Sequence, residues 1–144
     1  MKKLILLLTG LLYISCAYSQ PLLVTSSLPL SVDSVETHRV DDSLVRIIRH
    51  NMELQPLLEI ERISTPDIKL VETLKIDAVT VNGETLRFKE SDGVFIETLK
   101  IHKGIVEFTL GYYFHRGGNP LIQCTINVNN NKLGMLNCKH HKTS

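Results

Sequence analysis

The chain has 144 residues, 43% of them hydrophobic and 22% charged, with 16 basic against 15 acidic side chains. That length holds one domain able to build its own core, and a charge balance this even points by itself to no polyanion, nucleic acid included. Neither a catalytic motif nor a cofactor fingerprint stands out, so function has to be bounded from destination, architecture and charge placement.

Lys2 and Lys3 precede an apolar run over 4–14, and Ala17 and Ser19 then stand at the small-residue positions that signal peptidase reads. Residues 1–19 are expected to be a cleaved signal peptide, which makes Gln20 the first residue of a periplasmic or secreted protein. The run is shorter than the roughly 20 residues a membrane span needs, and no second such run follows, so the mature chain is expected to carry no transmembrane segment. The alternative ending is a lipoprotein anchored at Cys16, although Tyr13 fits the opening of a lipidation box poorly. Without the leader, 14 basic and 15 acidic residues remain, together with two cysteines, Cys124 and Cys138. An even pair in an exported chain reads as a disulfide.

Residues 20–40, rich in Ser and Thr with Pro21 and Pro29, read as an extended lead-in with a short edge strand near 22–24. A single β-rich domain is expected over 41–144. Asp41, Asp42 and Ser43 offer N-cap chemistry, and Leu44, Val45, Ile48 and Met52 share a helical face, so a helix is expected over about 43–54, with a strand as the alternative. After Pro56 the period becomes two. Ile68, Leu70, Leu74 and Ile76 alternate with polar residues, with Glu72 on the apolar side. Asn82-Gly83 marks a hairpin, and turns at 91–93 and 102–104 bracket a strand over 94–101. Val106, Phe108, Leu110, Tyr112 and Phe114 line one face of the clearest strand, and two more follow at about 121–128 and 133–139. The segment 71–76 is echoed at 96–101, which reads as two similar strands rather than a repeat architecture. The expected fold is mostly β, α+β at the margin: an antiparallel meander of five or six strands from about residue 57, covered by the one N-terminal helix.

The last hairpin carries an internal check. Setting Cys124 opposite Cys138 places Ile126 opposite Leu136 and Val128 opposite Gly134 on one face, with Thr125–Asn137 and Asn127–Met135 on the other. The apolar pattern and the disulfide then agree on one register.

Six histidines raise the question of a metal, above all His140-His141 beside Cys138. A bonded Cys138 and adjacent histidines pointing to opposite sides of a strand argue against it, and no metal or other cofactor is expected. His102 and His115 fall near turns, and Asp41-Asp42 reads as cap chemistry rather than an acid–base pair. The absence of Trp weakens a sugar-stacking surface, leaving Tyr112 and Tyr113 as substitutes. No nucleophile motif is present, and catalysis is disfavoured.

Charge is placed unevenly. Residues 20–107 hold 10 basic and 15 acidic side chains, whereas 108–144 hold Arg116, Lys132, Lys139 and Lys142 with no acid, and His115 besides. The expectation is an exported binding module that engages an anionic envelope or host component through this basic C-terminal hairpin. Lysines that guard a sheet edge would produce the same pattern. The alternatives are an inhibitor or accessory subunit that docks to a protein partner, and a small secreted hydrolase whose His and carboxylate converge in a polar pocket.

Overall fold

The computed structural model describes residues 29–115, 117–129 and 132–141. The expected leader, Cys16 and the edge strand at 22–24 lie outside the described residues.

Ten strands form three antiparallel sheets among the described residues. Strands β1 (Val32–Val40), β2 (Ser43–His50), β3 (Leu58–Ser64) and β4 (Lys69–Ile76) make a four-stranded meander in chain order. The short hairpin of β5 (Ala78–Val81) and β6 (Glu84–Arg87) and a 3-10 turn at Phe88–Glu90 lead to the second half. There β7 (Gly93–His102), β8 (Ile105–Tyr113), β9 (Leu121–Asn129) and β10 (Lys132–His140) form a second four-stranded meander. Asn82 and Gly83 take φ of 52° and 85° in the β5–β6 turn, the left-handed backbone a two-residue hairpin needs.

The helix expected over 43–54 is not there. Ser43–His50 is strand β2, and 51–55 is a turn in which the Asn51 side chain accepts the backbone N–H groups of Glu53 and Leu54. The four residues of the supposed helical face fall on both sides of the sheet, because β2 carries apolar side chains on each. Val45 and Ile47 point into the core, while Leu44 and Ile48 line the opposite face and are half-buried. Three β-branched residues in such a run favour the pleated alternative. Asp41 and Asp42 are therefore hairpin residues between the paired Val40 and Ser43, with Asp41 at φ 49°, and not a helix cap. Part of the extended lead-in is likewise edge strand β1.

Among the described residues no helix covers the meander; a second sheet does. One buried cluster draws Val45, Ile47, Leu58, Ile60 and Ile76 from the first sheet and Val94, Val106, Phe108, Leu110, Tyr112, Ile122 and Ile126 from the second. Burying each such side chain stabilises the fold by roughly 1.5–3 kcal/mol relative to exposure. Val79, Val81 and Phe88 from the β5–β6 region close the same core. Five or six strands were too few because β1, β2 and β3 belong to the covering layer.

The C-terminal register holds as far as Leu136. Cys138 lies opposite Cys124 with Cα atoms 4.1 Å apart and their sulfurs bonded, and Leu136 faces Ile126. Beyond that a bulge intervenes, and Val128 meets Leu133 instead of Gly134. The shift buries Leu133, which is 5% exposed, and leaves Gly134 at the bulge, where a Cβ would stand 2.8 Å from the Asn127 carbonyl oxygen. Gly134 therefore yields its expected inward position to a larger apolar neighbour. Asn129 now pairs with Lys132, so two residues connect the strands.

A bulge also explains Glu72. Ile63 pairs with Leu70 and Arg62 with Glu72, which leaves Val71 as the extra residue. Arg62 sits opposite Val45 on the inner face, 7% exposed, and Glu72 is on the apolar side because an inward arginine faces it. The echoed segment 96–101 is bulged as well, between Ile96 and Thr98, and both copies lie on outermost strands of their meanders. Bulges twist such edges away from unwanted pairing.

Candidate functional site

The outer face of the second sheet is assembled row by row from the strand register. Lys139, Gln123, Thr109 and Thr98 form one row, and Asn137, Thr125, Glu107 and Lys100 the next. Lys132 projects from the other end of β10, opposite Asn129. Lys132 and Lys139 are both exposed, and no carboxylate pairs with either among the described residues. Strands β9 and β10 contain no acid at all. On this face the acids are Glu107, which accepts from Gln123 Nε2 at 2.9 Å, and Glu97, whose side chain lies across Gly111. The result is a polar, weakly basic surface.

The expected cluster is only partly assembled. Arg116 and Lys142 lie outside the described residues. Lys132 and Lys139 are seven residues apart, which separates them by roughly 23 Å along a strand. His115 stands at the Lys139 end of the sheet, tied to Asp92, which accepts its backbone N–H at 2.5 Å and has its ring Nδ1 at 3.7 Å. His140 and His141 are exposed at the same end, and His141 N–H donates to the Leu121 carbonyl. Lys100 shares the outer face and was overlooked; strand parity from Leu99 and Ile101, which face inward, would have found it. Met135 adds an exposed apolar side chain to β10, at 83%.

Of the two tyrosines, Tyr112 is buried, and burial pushes its phenol above the ordinary range while its hydroxyl donates to the Leu86 carbonyl at 3.4 Å. Tyr113 is on the outer face, edge-on to the exposed Phe95 with ring centroids 5.4 Å apart.

A second polar cluster lies on the outer side of the first sheet. His50, only 4% exposed, has Nε2 2.9 Å from Glu59 Oε1 and Nδ1 3.2 Å from Ser31 Oγ. Lys75 Nζ stands 3.4 Å from the other oxygen of Glu59. A serine, a histidine and a carboxylate in a row suggest acyl-transfer chemistry, but Ser31 donates its hydroxyl hydrogen to Gln55 Oε1 at 2.6 Å and does not offer it to His50. The string ties the start of β1 and the 51–57 loop to the sheet. Sequence spacing carries no sign of it, since strand pairing alone brings these groups together.

Open cavities of about 280 to 630 Å³ line the molecule, at the lower end of the range usual for small-molecule sites. One of them, about 490 Å³, is bounded by Met52, Pro56, Phe88 and Phe95. No group of three or more His, Cys, Asp or Glu among the described residues could hold a metal ion. No helix among them is long and apolar enough to cross a membrane.

No known family, curated protein or solved structure matches the chain.

Proposed function

We propose that the chain is an exported binding module whose outer sheet face, edged by β10, engages an anionic component of an envelope or host surface. The observation that supports this reading is the pair of exposed lysines, Lys132 and Lys139, on a two-stranded border free of acids. The disulfide between Cys124 and Cys138 suits an oxidising compartment, in line with export. Arg116 and Lys142 extend the same sign of charge along the sequence.

Each lysine or arginine near an anionic surface contributes about 1 kcal/mol, so four of them reach useful affinity only in combination with specific contacts. Polar side chains that could supply those contacts are at hand in Thr98, Thr109, Thr125 and Asn137, which share the face. The attraction weakens with salt, because exposed charges are screened over about 10 Å at 0.1 M.

Retention on an anionic matrix and on anionic vesicles tests the reading. The parent protein is compared with one carrying Arg116→Glu, Lys132→Glu, Lys139→Glu and Lys142→Glu. The parent is expected to be retained at low salt and released as salt rises, and the variant to pass through. Equal, salt-insensitive behaviour of the two would leave these cations with edge protection as their only role.

A further inference from the structure

The outer faces of the two sheets differ in chemistry. That of the second sheet is polar, whereas the first sheet carries three aliphatic side chains in a row near its β1–β2 and β3–β4 turns. Leu44, Ile63 and Leu70 stand side by side there, and Arg39 ends the row on β1. Ile63 is only 7% exposed, yet it faces away from the core cluster between the sheets and is no part of it. Two exposed apolar residues of the β3–β4 turn, Pro66 and Ile68, lie beyond the row. Thr65 Oγ1 donates to the Asp42 carbonyl at 2.6 Å, which fastens this turn to the β1–β2 turn. Both turns border an open hollow of about 630 Å³, lined by Arg39, Asp42, Leu44, Thr65, Pro66 and Ile68.

Ile68 is out of place for the fold alone. Its φ of 51° lies in the left-handed region, where a β-branched side chain is a genuine outlier. The residue is 72% exposed, so burial within the chain does little to offset that strain. Glycine or asparagine would take the same backbone with ease. Strained backbone of this kind collects where a surface engages a ligand or a partner.

The rim of the hollow points to the partner. Arg39 and Asp42 are both exposed, and neither has an ion-pair partner among the described residues, the other included. One free cation and one free anion, beside an aliphatic knob and a shallow hollow, match the same surface turned about a two-fold axis.

We propose that this end of the first sheet is an isologous docking site for a second copy of the chain. Ile68 of each copy enters the hollow of the other, against Leu44 and Pro66, and Arg39 of each faces Asp42 of the other. The four strands span only about 15 Å, and the patch covers one end of them, short of the roughly 800 Å² a side of a standard interface. The dimer is therefore weak, with a micromolar dissociation constant. It leaves the outer faces of both second sheets free, and weak contacts made there gain from being linked in pairs.

Sedimentation equilibrium of the purified protein from about 1 μM to about 1 mM tests this, with urea unfolding alongside. The variants are Ile68→Gly, Arg39→Asp, Asp42→Arg and the double exchange of the last two. The parent is expected to pass from monomer to dimer across that range. Ile68→Gly is expected to weaken the dimer at least 10-fold, while its urea midpoint, read where the parent is monomeric, holds or rises. Each single charge reversal is expected to weaken the dimer at least 10-fold, and the double exchange to restore it to within about 3-fold of the parent. A parent that stays monomeric throughout, or a dimer indifferent to Ile68→Gly, would overturn the proposal. So would a double exchange no better than the single reversals, or a urea midpoint that falls with Ile68→Gly, which would give the isoleucine a role in the fold itself.

Discussion

Arg62 and Glu72 form an ion pair whose two halves should respond very differently to removal. The Arg62 side chain is 9% exposed, and its Nε lies 3.5 Å from Glu72 Oε2, buried and without a hydrogen-bond partner. The Glu72 side chain is 34% exposed, and the same oxygen accepts the Leu133 N–H from β10. Changing Glu72→Ala deprives Leu133 of an acceptor, about 1 kcal/mol after allowing for water at a site one-third open. It also leaves an arginine inside the fold without a counter-charge; a fully buried case costs about 3–5 kcal/mol, and this partly open one about half that. Together these lower stability by roughly 3 kcal/mol, or a melting temperature drop of about 10 °C for a domain of this size. Arg62→Met keeps the packing volume, removes an unsatisfied N–H and leaves Glu72 bonded to Leu133. Its expected effect lies within about 1 kcal/mol of zero and can be stabilising. Glu72→Gln, which retains an acceptor but no charge, should fall between. Urea unfolding with a common m-value measures all three. Should Arg62→Met cost as much as Glu72→Ala, the pair would be a net stabilising bridge and the reasoning from desolvation would be wrong.

Free-thiol labelling of the denatured, unreduced protein should find neither Cys124 nor Cys138 reactive, and replacing both by Ala should lower stability by about 3 kcal/mol for a loop of this length. Two reactive thiols would refute the bond. Tyr112 has a phenol raised by burial, so the unfolded chain releases that proton at lower pH than the folded one. Stability attributable to it is intact below about pH 10, where the unfolded phenol titrates, and falls as pH climbs from there toward the folded value. Tyr112→Phe should flatten that alkaline decline while costing under about 1 kcal/mol at neutral pH, since the hydroxyl's bond to the Leu86 carbonyl is long. An unchanged alkaline slope would assign the decline to other groups.

Strand β8 was legible because one face is wholly apolar and the other mostly polar or small: Val106, Phe108, Leu110 and Tyr112 are all 0% exposed. Strand β2 was not, because apolar residues occupy both of its faces and such a run has no period to read. In β3 the inward sequence Leu58, Ile60, Arg62 ends on a charge, which hides the alternation; only the fold shows that Glu72 is there to meet it. The hairpin register was readable from the cysteines to Leu136, where the pattern is strict, and failed at Gly134, because a bulge exchanges neighbours without leaving a compositional mark. For the candidate site, composition identified the cations, but their distance depends on which end of β10 each occupies. Lys132 and Lys139 are close in sequence and far apart on the sheet.

The meander topology has a bearing on how the chain reaches its fold. Among the described residues every ladder joins strands that follow one another, and none links the first four strands to the last four. Each half can zip up from its own hairpins with short loop closures, so the slow, long-range pairing that delays many β-sandwiches is absent. What remains is the docking of two preformed sheets, largely by side chains, through a core that neither half can bury by itself. The connection at residues 88–92 is then a natural place to divide the molecule. Two polypeptides parted there would each keep all their ladder bonds and lack only each other.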